Sequence, residues 1–472
     1  MSITSLSFLF CFLPISLMVY YIVKKEAKEL VLLMISLMFY ALGSPQYLIL
    51  FMVSVVVTVT IGRLMASYEG KRPRTFLLVV GVIYNIGLLA FYKYYNSIID
   101  YMGLKKIIEI DTYQSLILPL GISFFTFKAI SYLIDVYHSR VQLDENVVHD
   151  ALYLSFFPQI QSGPLARYSE MFPVVDKSEK QRLFNEGVYR FLIGFNKKVI
   201  LANVLSNITK EIFSTDPGML STGYAWLGSI CFSLQLFFDF AGYSDMAIGL
   251  SGMFGYNCRE NFYYPYMTES VSKFWRRWHI SLSEWFRDYI YFPLGGSRCE
   301  KKTRVYFNLF VVWILTGIWH GSTWNFVAWG LGYFVLISFE RFTGLPDKLT
   351  SRVVKSIYRL FTLLFINFQW VLFKAENLKY GLRFIKRMVV YTPNELMDKR
   401  TAFLLGDNWF FIILAFILCF PVVSTLENKV KENAKAYFAF KLIVSLIIVL
   451  GFVWSLSFVI VGMNNPFAYA FF

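Results

Sequence analysis

Charge is scarce in this chain. Only 16% of its 472 residues are Asp, Glu, Lys or Arg, against about a quarter in a soluble globular domain. Acidic residues are the scarcer kind, 31 against 45 Lys and Arg, which leaves a net charge of +14. Histidine occurs four times and cysteine five times. Cys11, Cys231, Cys258, Cys299 and Cys419 are scattered and odd in number, with no Cys-x-x-Cys and no Cys/His ligand spacing. Neither a disulfide framework nor a zinc or other metal site is supported. The chain lacks a Gly-x-x-x-x-Gly-Lys-Ser/Thr loop, a Gly-x-Gly-x-x-Gly turn, a serine nucleophile elbow and a zinc-protease helix. It has no internal repeat, low-complexity tract or long linker. No basic soluble stretch exists to hold nucleic acid, so the positive balance belongs to membrane loops and anionic lipid head groups.

What is abundant is apolar sequence, 57% of the residues, gathered in long runs. Helices alone satisfy their own backbone in lipid over such lengths, so the chain reads as all-α, a polytopic membrane protein forming one integral domain over residues 1–472. The runs 5–23, 29–43, 46–65, 76–95, 116–137, 188–206, 223–252, 305–339, 355–375, 408–425 and 440–462 predict about eleven spans. The first run is too long for a signal peptide and its basic stretch, Lys24 to Lys28, comes after it. That predicts a retained span with the N-terminus outside, in agreement with the basic loop from Arg63 to Arg74 lying on the same side as Lys24. Residues 151–165 are apolar but short and end in Ser162-Gly-Pro-Leu165, which predicts a re-entrant or buried helix. Residues 96–112, by contrast, are polar and predict an interfacial stretch. Residues 253–304 mix Trp275, Trp278 and Trp285 with Lys and Arg, the composition of interfacial amphipathic helices.

His320 lies in Thr316-Gly-Ile-Trp-His-Gly321, inside one of the most apolar regions. An imidazole at membrane depth is costly and is by default a functional candidate. It is also the side chain best suited to move a proton near neutral pH. The run 305–339 is 35 residues long, more than a bilayer core of about 30 Å needs at 1.5 Å per residue, and glycines flank His320. A broken or strongly tilted helix pair with His320 at the junction is expected. The residue could be a general base for a hydroxyl attacking an acyl donor, or a structural histidine bonded to a carbonyl at the break. His279, in Phe274-Trp-Arg-Arg-Trp-His-Ile-Ser-Leu-Ser283, could be a second acid–base or orienting group, or an ordinary interfacial side chain. Gln235, Asp239 and Tyr243 recur at four-residue spacing and share one helix face. They could form a polar wall or simply join helices. The Gly295-Gly296 turn is followed by Arg298, Lys301, Lys302 and Arg304, a basic rim that either attracts an anionic donor or marks a cytoplasmic loop. From the residues alone, a membrane transferase and a proton-coupled transporter or flippase both remain open. No second copy of the His320 region is found, as a repeat-built transporter would have.

Several stretches together carry a resemblance. They are Phe8-Leu-Phe-Cys-Phe-Leu-Pro14, Gly121-Ile-Ser-Phe-Phe-Thr-Phe127, Ser155-Phe-Phe-Pro-Gln159 with Gly163-Pro164, Asp239-Phe-Ala-Gly-Tyr-Ser-Asp-Met-Ala-Ile-Gly-Leu250, Glu260-Asn-Phe-Tyr-Tyr-Pro-Tyr266, the segment around His279, and Trp319-His-Gly321. Nearly the whole chain resembles the membrane-bound O-acyltransferase family, in its alginate O-acetylation branch. The resemblance implies a ring of helices around a central tunnel, with His320 catalytic and His279 matching the family's second histidine. Gln235, Asp239, Tyr243, Ser244, Trp275, Arg277, Asp288 and Trp319 are expected to line or support that tunnel. It further implies a cytoplasmic acyl thioester such as acetyl-CoA as donor, no bound cofactor or metal, and a polysaccharide acceptor. The resemblance also implies that this chain resides in the bacterial cytoplasmic membrane and that a separate extracytoplasmic esterase-like partner completes the transfer. D-alanylation of teichoic acid is the alternative within the family. Tyr469 matches a tail tyrosine that related systems suggest as an acyl relay, although Ala468 and Ala470 stand where bulky residues are usual.

Overall fold

The computed structural model describes residues 1–102, 116–143, 145–171, 177–390, 396–462 and 467; Tyr469 lies outside them. Among the described residues every regular element is helical. Six helices are long and apolar enough to cross a membrane, and the shorter apolar helix Phe8–Ile22 precedes them. The protein is a multi-pass membrane protein. Its described chain falls into two compact units, one built from Met1–Phe191 and Met246–Arg259, the other from Leu192–Asp245 and the described residues from Glu260 onward.

The first unit begins with α1 (Phe8–Ile22), α2 (Lys28–Gly43), α3 (Leu48–Ser67), α4 (Lys71–Tyr101) and α5 (Ile122–Tyr137). The helix α4 runs on to Tyr101 through polar sequence expected to be interfacial. Only 11% of its most apolar window is buried, so most of its apolar surface is left uncovered by the described residues. The short apolar piece is α6 (Val147–Ser155) followed by α7 (Phe157–Ile160), and Asn146 caps the first of these through the Val148 N–H. After α7 the chain turns back on itself. The Tyr168 hydroxyl donates to Asp150 at 2.7 Å, and the Tyr153 hydroxyl to the Ala166 carbonyl at 3.1 Å. Asp150 is fully buried and also pairs with Arg63 of α3 at 2.7 Å. The short apolar run is therefore a buried helical piece whose chain turns back on itself, where a re-entrant or buried helix was expected. Its irregular backbone is buried in protein, the condition for such backbone at membrane depth. The unit closes with the first part of α8 (Lys177–Asn196).

In the second unit a π-helical turn, Lys197–Asn203, links α8 to α9 (Val204–Ser214). Next comes α10 (Thr222–Met253), 32 residues long with 83% of its apolar window buried, whose residues up to Asp245 belong to this unit. Two short helices follow, α11 (Val271–Trp275) and α12 (Ile280–Phe286). The run 305–339 is indeed broken. It forms α13 (Lys302–His320) and α14 (Trp324–Thr343), with the break directly after His320. The two pack backbone to backbone: a Cβ on Gly317 would meet the Phe326 carbonyl at 2.6 Å, and one on Gly330 the Trp313 carbonyl at 2.5 Å. Small residues permit such close approach between packed helices. The unit then continues through α15 (Arg352–Lys374), α16 (Leu378–Val389), α17 (Lys399–Leu418) and α18 (Ala434–Ile460). The helix α17 starts nine residues before the expected run at 408. The Asp398 side chain caps it at Thr401, and Arg400 pairs with Glu211, so polar residues that hid its start from a hydropathy reading are accommodated.

Candidate functional site

His320 is the last residue of α13 and only 3% exposed. Aromatic rings surround its imidazole: Trp319 at 4.5 Å between centroids, Trp329 of α14 at 4.9 Å, and Phe373 of α15 at 5.0 Å, the last two edge to face. The turn after it is fastened by Asn325, whose amide donates to the carbonyls of Leu372 and Ala375 at 3.0 and 2.9 Å. These bonds hold the end of α15, and hence Phe373, against the hairpin.

His279 occupies a left-handed backbone conformation, φ +44°, uncommon for a residue with a Cβ and worth about 1–3 kcal/mol of strain. Asn261 holds it there. The Asn261 carbonyl accepts from the Ile280 N–H at 2.9 Å, and its side-chain oxygen from the Ser281 N–H at 3.2 Å and the Ser281 hydroxyl at 2.9 Å. The His279 Nδ1 lies 3.1 Å from the same oxygen. The Asn261 amide nitrogen donates to Ser244 of α10 at 3.1 Å. Phe240 packs edge to face on the imidazole at 4.5 Å. His279 lies outside the six long apolar helices and is buried, and burial pushes its pKa down to about 3. It is a neutral imidazole at neutral pH.

The two histidines belong to one continuous group of rings. From His279 it passes through Phe262, Trp278, Trp370 and Phe373 to His320, with successive centroids 6.5, 5.1, 4.9, 5.6 and 5.0 Å apart. Trp275 joins it by packing on Trp313 and Tyr333 at 5.0 Å and on Trp329 at 5.8 Å. The N-terminus of α11, which leads into this segment, is seated on Glu340 of α14. That buried carboxylate accepts from the Val271 N–H and Ser272 N–H, both at 2.8 Å, from the Ser272 hydroxyl at 2.6 Å and from the Tyr358 hydroxyl at 2.9 Å.

The polar face of α10 is buried, and each of its members meets another element. Gln235 accepts from Thr209 of α9, Asp239 pairs with Lys198 of the π-helical turn, and Tyr243 packs edge to face on Phe467 at 4.8 Å. The Lys198 ammonium also sits 4.4 Å from the Phe467 ring centroid. Two residues beyond Tyr243, Asp245 pairs with Lys197 at 2.6 Å. Arg277 stacks over Tyr263, and Asp288 pairs with its neighbour Arg287 at 2.8 Å.

Sequence reasoning passed over Lys198, Asn261 and Glu340. A signal existed for two of them. A buried Asp239 demands a cation, and Lys197-Lys198 interrupts an apolar run. Glu340 is an acidic residue just past the end of the His320 run. Asn261 stood in the Glu260–Tyr266 stretch that carries the resemblance, with nothing to mark it as a partner of His279.

These features define a membrane protein with two buried histidines on a shared aromatic core. Comparison with known proteins supplies the family. Residues 146–382 match the model of the membrane-bound O-acyltransferase family. The chain is 36% identical to the probable alginate O-acetylase AlgI of Pseudomonas aeruginosa, covering 87% of this chain and 79% of that protein. It is 35% identical to the peptidoglycan O-acetyltransferase of Helicobacter pylori, over 81% and 78% of the respective chains. To the teichoic acid D-alanyltransferase of Bacillus subtilis it is 30% identical, over 55% and 68%. The chain belongs to the membrane-bound O-acyltransferase family and is an O-acyltransferase.

Proposed function

We propose that this enzyme takes an acetyl group from a cytoplasmic thioester, acetyl-CoA or a carrier-bound equivalent, and passes it through a central tunnel for O-acetylation of an exported polysaccharide. An extracytoplasmic esterase-like protein completes the transfer, and the enzyme resides in the bacterial cytoplasmic membrane with its N-terminus outside. The observation that carries this reading is His320 itself, a titratable side chain buried among rings at the break between two close-packed helices. The imidazole there takes the proton of an attacking hydroxyl, or handles the acyl group directly. A wall of aromatic edges keeps water from hydrolysing the thioester. His279 orients the reactants. Asp239, Gln235, Tyr243, Ser244, Trp275, Arg277, Asp288 and Trp319 line or support the passage, and Tyr469 serves as an acyl relay. The basic residues at the start of α13 receive an anionic donor. His320 lies at the other end of that helix, on the order of 27 Å away at 1.5 Å per residue, a depth that suits a donor with a long flexible arm.

Acetyl rather than D-alanyl transfer is favoured because the named O-acetylating relatives match more of the chain, at higher identity. The test is acyl transfer by purified protein in lipid vesicles, supplied with labelled acetyl-CoA or with a D-alanyl carrier thioester. His320→Ala should remove transfer, a loss of at least about 100-fold, while the variant keeps its thermal midpoint. Retained turnover in that variant rejects the role of His320, and labelling from the D-alanyl donor alone rejects acetylation.

A further inference from the structure

The bonds around Asn261 determine which nitrogen of His279 carries its proton. An Asn side chain can be placed either way round, so its orientation must come from an unambiguous neighbour. Here that neighbour is the backbone N–H of Ser281, which can only donate and lies 3.2 Å from the Asn261 oxygen. The atom facing it is therefore the oxygen, and the amide nitrogen faces Ser244, whose hydroxyl accepts at 3.1 Å. A carbonyl oxygen has no proton to give. His279 Nδ1, 3.1 Å from that oxygen, must then be the donor.

We infer that Asn261 is the positioning residue of His279: it fixes the Nδ1–H tautomer, so that Nε2 presents its lone pair and acts as the proton acceptor or orienting atom toward the substrate hydroxyl. The inference rests on the acyl-transfer reading for its role and on hydrogen-bond geometry for the tautomer. Burial of His279 keeps the imidazole neutral, so the choice between tautomers is a real one at neutral pH. A hydrogen-bond partner on one ring nitrogen fixes a histidine's ring position and tautomer together. The φ of +44° at His279 is held by the same residue through the Ile280 N–H and Ser281 N–H, so ring position and proton position have one source. Asn261 touches no reacting atom; it acts through His279.

Two measurements test this. The first is nitrogen NMR of the unaltered protein with labelled histidine, the His279 signals being those lost in His279→Gln. A protonated Nδ1 with a bare Nε2 is expected, and a protonated Nε2 overturns the assignment, whatever the enzyme's substrate. The second is kinetic. Asn261→Ala should lower kcat about 10–100-fold with little change in the donor KM, the scale on which a metal-bound histidine suffers when it loses its orienting partner. Asn261→Asp keeps an acceptor for Nδ1–H and should restore turnover to within about tenfold of the unaltered enzyme. An unchanged kcat in Asn261→Ala, or equal losses in Ala and Asp, overturns the positioning role. If the acyl-transfer reading itself is wrong, no variant changes transfer in this pattern, but the NMR result stands by itself.

Discussion

Glu340 offers the sharpest test of how the His279 segment is held. Its two oxygens divide four donors: Oε1 takes the Val271 N–H and the Tyr358 hydroxyl, Oε2 the Ser272 N–H and the Ser272 hydroxyl. Glu340→Gln replaces one oxygen by an NH2 group. Either hydroxyl can rotate away from it, but a backbone N–H cannot. Whichever way the amide sits, one backbone N–H of α11 is left buried without an acceptor, at about 1–3 kcal/mol. The bonds that remain lose their charge assistance, which roughly halves them. The sum is about 3 kcal/mol of destabilisation. Tyr358→Phe removes one donor and orphans nothing, so it should cost about 1 kcal/mol. Catalysis separates the two further. The segment loosened in Glu340→Gln leads into Trp275, Trp278 and His279, and a displacement of even 1 Å can cost on the order of 100-fold in rate. Tyr358→Phe leaves the α11 backbone bonds intact and should turn over like the unaltered enzyme. Thermal unfolding in detergent and acyl-transfer kinetics, run on both variants, decide the matter. Equal midpoints and equal turnover for the two would refute the reasoning.

Two further outcomes follow from buried charge. Lys198→Met leaves Asp239 without its cation, at about 3–5 kcal/mol, whereas Lys198→Met with Asp239→Leu removes both charges and should recover most of the loss. A double variant no more stable than the single one, by thermal midpoint, would contradict that account. The second concerns pH. The His279 pKa falls from about 6.5 in the unfolded chain to about 3 in the fold through burial. In that interval the unfolded chain binds the proton and the fold does not. The contribution is thus complete above about pH 6.5 and is lost as pH falls toward 3, at up to about 1.4 kcal/mol per pH unit. His279→Gln should flatten the fall in thermal midpoint between about pH 6.5 and 5, ahead of carboxylate titration; parallel slopes for the two proteins would exclude the effect.

Much of the architecture was legible because lipid leaves the backbone few options. The hairpin of residues 147–168 declared itself through a run too short to cross and a Gly-Pro exit. The division of 305–339 into α13 and α14 followed from its length and from the glycines beside His320. The face shared by Gln235, Asp239 and Tyr243 was readable from spacing alone. What it faces was not, since Thr209, Lys198 and Phe467 lie at sequence distances that no periodicity relates. The start of α17 was misplaced because Lys399, Arg400 and Asp407 lower its hydropathy, and only the fold reveals that Arg400 is paired. Asn261 stood in the Glu260–Tyr266 stretch that carries the resemblance, but its role was hidden for a different reason. Its significance lies in a backbone N–H two residues beyond His279, and a sequence does not show which way an amide points.

The α13–α14 hairpin explains why both histidines depend on one element. Gly317 and Gly330 let the two helices touch, and that contact sets Trp313, Trp329 and Tyr333 beside one another. On one side these rings form the bed for Trp275, and Glu340 at the far end of α14 fixes α11 on the same bed. On the other side Trp329 closes over His320. A site built this way has its geometry set by helices rather than loops, as precise positioning of reacting groups requires. Its polar anchors, Glu340, Asn261 and Asn325, each tie a short irregular segment to a long helix or to its end. Irregular backbone frees His279 from regular helix and begins directly after His320 at the end of α13, and each anchor satisfies donors or acceptors that such backbone would otherwise leave exposed to an apolar interior.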